Sequence, residues 1–232
     1  MSVTSDSAPT QISVPPLAAA TEADQFVEID AVGWIGYKKY LRARGERSRP
    51  KMIYLDGDLI LVSPAEPHES LNYRIGAFVL EVFSSLRIRF RPLGQTTLRR
   101  RSKRGGVEGD QAYYLASEKL VRGKPRVDLR IDPPPDLAIE VVHTHKAEAS
   151  LKVYGGLGVP EVWVCDENQV AILVRQENGD YQETEHSLSL PFLTAAEIFA
   201  QIQKSDNMDM LDWLDGVRRW VREVLVPRVP PA

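Results

Sequence analysis

Pro133-Pro134-Pro135-Asp136-Leu137-Ala138-Ile139-Glu140-Val141-Val142 is the stretch on which the reading of this chain turns. Three prolines bound a short apolar run broken by a single acid. The run is too short for an ordinary helix, and such a run reads as a strand buried on both faces. Strand alternation sends Leu137, Ile139 and Val141 to one side and Asp136, Ala138, Glu140 and Val142 to the other. Glu140 is then a carboxylate where an unpaired charge costs roughly several kcal/mol, so a cation, a donor or a metal has to meet it.

The 232 residues, 43% hydrophobic and 26% charged, fit one globular domain with tails. A formal net charge of -3 excludes a generally basic coat, yet leaves room for a local basic groove. The single cysteine, Cys165, allows no intrachain disulfide and no cysteine-pair zinc site, so a reducing, cytoplasmic setting is expected. No signal peptide or membrane span is expected. Residues 1–24, rich in Ser, Thr, Pro and Ala, read as a disordered tail. Residues 25–226 read as the domain, and 227–232 as a frayed end.

Around the central strand the pattern predicts a helix over 32–44 and a hairpin of 51–55 and 58–63 turning at Asp56-Gly57. A helix over 69–86 follows. Residues 87–91, with Arg87, Arg89 and Arg91 alternating with Ile88 and Phe90, predict a strand with one basic face. Residues 107–115 predict another strand, with Asp110 at its entrance. A helix over 146–157 stops at Gly158, and a strand over 159–166 comes next. A second hairpin turns at Asn178-Gly179, and helices over 194–204 and 207–226 close the chain. This is a mixed α/β arrangement: a mixed sheet flanked by helices, with a crossover helix and C-terminal helices.

Two strands carry acids, Asp110 and Glu140. If they pair, the carboxylates project on one face of strands about 4.8 Å apart. Their repulsion would be relieved by a hard cation such as Mg2+, which is held by one or two carboxylates plus waters and phosphates. Glu69, or His68 beside it, would supply a third ligand. The alternative is structural: Asp110 caps a strand and Glu140 pairs with an arginine. The basic run Arg99, Arg100, Arg101, Lys103 and Arg104 is either a solvated loop or a rim that grips phosphates. Asp136, about 13 Å from Glu140 along the strand, is too far to share a metal and reads as a strand initiator. His143 and His145 read as a polar strand exit. Trp163, Trp213 and Trp220 read as core or interface anchors.

The order of these pieces resembles a bacterial family of restriction endonucleases, the Uma type within the PD-(D/E)XK nuclease superfamily. The resemblance rests on Asp56-Gly57-Asp58-Leu59 with Ser63-Pro64 and His68-Glu69, and on Val107-Glu108-Gly109-Asp110-Gln111-Ala112-Tyr113-Tyr114. It also rests on Pro134 to Val142, and on Tyr154 with Gly158-Val159-Pro160-Glu161-Val162-Trp163. It implies a restriction-endonuclease-like core and Mg2+- or Mn2+-dependent cleavage of DNA, with Asp110, Glu140 and Glu69 as metal ligands. The chain also departs from the pattern. Val142 stands where the superfamily carries its lysine, and Ser150 where the Uma type carries one on the next helix. Lys146, one helical turn earlier, is the substitute candidate. Gly109 replaces the proline that usually precedes the aspartate.

Two functions of different class follow. One is a DNA endonuclease in which Asp110, Glu140 and Lys146 act together. The other is a catalytically degenerate DNA- or protein-binding module, favoured by Ser150. A third reading is an α/β domain whose acids are structural. A homodimer is compatible with double-strand cutting, and neither a nucleotide cofactor nor a membrane partner is expected.

Overall fold

A computed structural model gives the fold over residues 23–142 and 147–229. One five-stranded sheet contains β1 (Gln25–Ile29), β2 (Lys51–Leu55), β3 (Asp58–Ser63), β5 (Thr97–Arg100) and β6 (Gly105–Glu108), in the order β1-β3-β2-β6-β5. The other sheet holds β4 (Arg91–Pro92), β7 (Gln111–Tyr114), β8 (Leu137–Val141), β9 (Glu161–Cys165), β10 (Val170–Arg175) and β11 (Tyr181–Thr184). Its order is β11-β10-β9-β8-β7-β4. The helices are α1 (Gly33–Arg44), α2 (Glu66–Ser85), the single turn α3 (Glu118–Val121), α4 (Glu148–Leu157), α5 (Ala195–Gln203) and α6 (Met210–Trp220). The architecture is the mixed α/β class expected, with helices at the C-terminal end.

The core follows the alternation of β8. Leu137, Ile139 and Val141 pack with Ile75, Phe78 and Val82 of α2, and with residues of α5 and α6. Ala138, on the other face, packs with Val153, Tyr154 and Leu157 of α4 and with Ile53, Leu98 and Val107 of the first sheet. Glu140 shares the Ala138 parity, so it faces the layer between α4 and the first sheet. α4 crosses between the parallel neighbours β8 and β9, and Gly158 ends it in the left-handed conformation (φ 88°). Trp163 and Trp213 are core residues, and the half-buried Trp220 packs on the same core, its ring against Phe78.

Several elements differ from the sequence reading, each for a local reason. The predicted strand over 107–115 is two strands in two sheets: the chain leaves the first sheet after Glu108 and joins the second at Gln111. Residues 87–90 join no ladder. Arg87 takes a positive φ of 56° just after α2, and the alternation there reflects Ile88 and Phe90 packing on the core. Arg91 is no free basic tooth either, since its guanidinium donates to the carbonyls of Val121 and Lys124. α2 begins at Glu66 because Pro67 falls in its first turn, where a missing N–H is harmless. β1 carries no apolar alternation strong enough to signal a strand, and pairs with β3 as an exposed edge. Expectations for residues 1–22, His143, His145, Lys146 and 230–232 lie outside the described residues.

Candidate active site

The break between the sheets is where the acids meet. β7 and β8 are antiparallel, with Gln111 opposite Ile139 and Ala112 opposite Ala138. Carrying that register one step further sets Asp110 opposite Glu140. The backbone N–H of Val141 donates to Asp110 Oδ2 at 2.9 Å, which fixes the aspartate where the ladder ends. On the other side β2 pairs with β6, Ile53 opposite Val107 and Leu55 opposite Gly105. The same extension sets Lys51 opposite Gly109. Lysine, aspartate and glutamate thus lie side by side on three adjacent segments.

All three are buried: Lys51 is 5% exposed, Asp110 3% and Glu140 6%. The Lys51 ammonium donates to Asp110 Oδ1. His68, from the first turns of α2, brings Nε2 within 3.0 Å of the same oxygen and 3.4 Å of Lys51 Nζ. Its Nδ1 lies 3.3 Å from Asp24 Oδ2, while Asp24 Oδ1 accepts from the Ala65 N–H. Glu140 Oε1 accepts from the Tyr154 hydroxyl at 2.5 Å. Gly109 makes this contact feasible, because a Cβ there would lie 1.9 Å from the Tyr154 oxygen and 2.7 Å from Glu140 Oε1.

The electrostatics separate the two acids. Burial pushes the Glu140 carboxyl up, the Asp110 charge adds to this, and the result is about 8. Burial also works on Asp110, but the His68 hydrogen bond and the Lys51 charge hold it below its ordinary value. For His68 burial opposes the charged ring, and the bond and charge of Asp110 prevail, raising it. The two acids are thus driven apart, Glu140 toward its protonated form and Asp110 toward its charged form, and the Lys51 ammonium donates to the latter.

Three other acids, Glu108 and Glu161 buried and Asp136 half-buried, are satisfied by their surroundings. Glu108 is held by Arg44, the Met52 N–H and Thr97. Glu161 accepts from Trp163 Nε1 and from the N–H groups of Leu188 and Ser189. Asp136 accepts from Leu115 N–H, Ser117 N–H and Ser117 Oγ, pinning the turn after β7. These are structural groups. Asp110 and Glu140 differ from these three in that the charge of one works directly on the other.

The sequence profile of the Uma2 family, described as "Putative restriction endonuclease", matches residues 37–210. The chain belongs to the Uma2 family. No curated protein matches it. Among solved structures, "a putative nuclease belonging to DUF820" from Anabaena variabilis matches at 16% identity and a TM-score of 0.46, over 66% of this chain and 92% of that one.

In this Uma2 protein the expected site residues divide. Asp110 and Glu140 come together. Glu69 turns outward to an ion pair with Arg49 at 2.7 Å, because neighbouring helix residues point about 100° apart and His68 takes the inward direction. Arg99, Arg101, Lys103 and Arg104 are exposed and Arg100 is half-buried, on β5 and the turn after it, and Arg104 pairs with Asp56 at 3.2 Å. Lys51, Tyr154 and Asp24 are additions that the sequence reading did not assign to the site. Alternation along β8 found Glu140, whereas a lysine heading a strand carries no sign that it will be buried.

The donor set fits a hard divalent ion with few protein ligands. The register sets Asp110 and Glu140 side by side and the charge of one works on the other, and Mg2+ is an ion that such a pair can hold with the remaining positions filled by water and phosphate. Among the described residues no three His, Cys, Asp or Glu side chains are arranged to hold an ion. A closed structural zinc site is therefore not what the described residues form.

Proposed function

We propose that this Uma2 protein is an endonuclease that hydrolyses phosphodiester bonds in DNA, with Asp110 and Glu140 holding Mg2+ or Mn2+. The observation that supports it is the acid pair itself. Two buried carboxylates oppose each other where a strand passes between sheets, and Glu140 is pushed to about 8 partly by its neighbour's charge. A structural role would not need that conflict. Bound there, the metal would supply Lewis-acid stabilisation of the phosphate and a water of lowered pKa.

The protein's own residues do the positioning. The Val141 N–H and the His68 ring orient Asp110. The Tyr154 hydroxyl orients Glu140 and favours its charged form. Arg104 lies six residues before Asp110 along an extended chain, so the end of the basic turn lies roughly 20 Å or less from the acids. That is about six phosphate steps along one strand. Arg99, Arg100, Arg101, Lys103 and Arg104 would hold the backbone while the acids meet the scissile phosphate.

A second reading, a DNA- or protein-binding module without efficient cleavage, is favoured by the buried Ser150 on α4. Incubating the protein with supercoiled plasmid and Mg2+ or Mn2+ separates the two. The endonuclease reading expects nicking that Asp110→Asn and Glu140→Gln each remove. Salt-sensitive DNA binding with no nicking in either metal would leave the binding module in its place.

A further inference from the structure

We propose that Lys51, brought in on β2, supplies the positive charge of this site, a part that neither Val142 nor Ser150 can play. This rests on the endonuclease reading of the acid pair. Lys51 is the one buried lysine among the described residues; the others (38, 39, 103, 119, 124, 152 and 204) are exposed. Its stem lies in the β2 ladder, and its ammonium reaches Asp110 and stands 3.4 Å from His68. Burying a lysine is costly unless a charge meets it, and here the charge is one of the two carboxylates facing the reaction centre.

The placement explains how a serine is tolerated at position 150. α4 packs directly over β2 and β6. Tyr154, four residues after Ser150 and on the same helical face, reaches Glu140. A cation rising from the strand beneath α4 therefore serves the same layer as one descending from α4 itself. Lys51 acts through Asp110 and is a positioning residue: it offsets the charge of the pair before the metal arrives and keeps the aspartate aimed at the gap.

This role has a signature that a purely structural ion pair lacks. The ammonium and the metal both bind Asp110, so removing the ammonium should strengthen metal binding while weakening cleavage. Lys51→Met and Lys51→Arg would be compared with the parent in two measurements. Mn2+ binding would be followed by electron paramagnetic resonance without DNA, and plasmid nicking in Mn2+ would be timed. The expected result for Lys51→Met is Mn2+ binding at least about threefold tighter, with nicking slowed on the order of a hundredfold. Lys51→Arg should return the metal affinity to the parent value and recover part of the rate.

Should Met prevent folding, Lys51→Gln keeps a donor to Asp110 without the charge and reads the same split. A Lys51→Met or Lys51→Gln protein that binds Mn2+ no tighter than the parent overturns the proposal, as does one that nicks at the parent rate. If the parent itself does not nick, the endonuclease reading fails, and the Mn2+ measurement still decides the role of Lys51.

Discussion

The hydroxyl of Tyr154 stands where a side chain on residue 109 would begin: a Cβ built on Gly109 would lie 1.9 Å from it. Gly109, where the family pattern usually has a proline, thus marks a close approach. It lets a tyrosine from α4 reach Glu140 through the seam between the two sheets.

Gly109→Ala should therefore destabilise the protein by about 1–3 kcal/mol through overpacking. Tyr154→Phe removes the oxygen that the new methyl would strike, so the same change should cost less in that background. Thermal melts of the two single variants and the double variant measure this coupling. Strict additivity would show that the methyl is accommodated some other way.

Asp110→Asn and Glu140→Gln should each lower the proposed nicking rate by on the order of a hundredfold or more, since each removes one of two carboxylates available to the metal. Circular dichroism should show both variants folded. Retention of parental nicking by either one would remove that acid from the metal site.

Stability of the metal-free protein should fall as pH rises. Glu140, raised to about 8 from its ordinary 4.5, binds its proton more tightly when folded, so stability is lost as pH climbs between those values. His68 is also raised, and its contribution is present below 6.5 and lost above. Asp110 is lowered, and its contribution is lost only as pH drops below the ordinary 3.8. Melting temperatures in EDTA from pH 5.5 to 8.5 should decline, with a shallower slope in Glu140→Gln. Equal slopes in the two proteins would mean that Glu140 does not carry the effect.

Replacing Arg100 and Arg101 by alanine should weaken DNA binding at every sequence and reduce the salt dependence of log K by about 1–2, as expected for two lost phosphate contacts. Fluorescence anisotropy in Ca2+ at several salt concentrations gives the slope. An unchanged slope would return the turn to an ordinary solvated surface.

The sequence carried the parts of this site that depend on strand parity. Alternation along β8 put Glu140 on the face opposite Leu137, Ile139 and Val141, and the acids of two neighbouring strands suggested each other. What stayed hidden depends on contacts far apart in the chain. Lys51 reads as an ordinary strand end until β6 is laid beside β2. Asp24 falls at the edge of a segment with the composition of a tail, yet it is buried against His68 and the Ala65 N–H. The split between β6 and β7 was invisible because Val107 to Tyr114 has the pattern of one strand, and only the packing of two sheets bends it.

Because Asp110 sits where the chain crosses between sheets, its direct partners, Lys51, His68 and the Val141 N–H, come from both halves of the fold, and the groups behind them, Asp24 and Tyr154, widen the span further. A ribosome-bound or clipped chain that lacks β8 or α4 would carry the lysine and the aspartate without the glutamate or its tyrosine. Such a fragment would hold an incomplete site. The arrangement of Lys51, Asp110, Glu140 and Tyr154 exists only once both sheets and α4 have packed together.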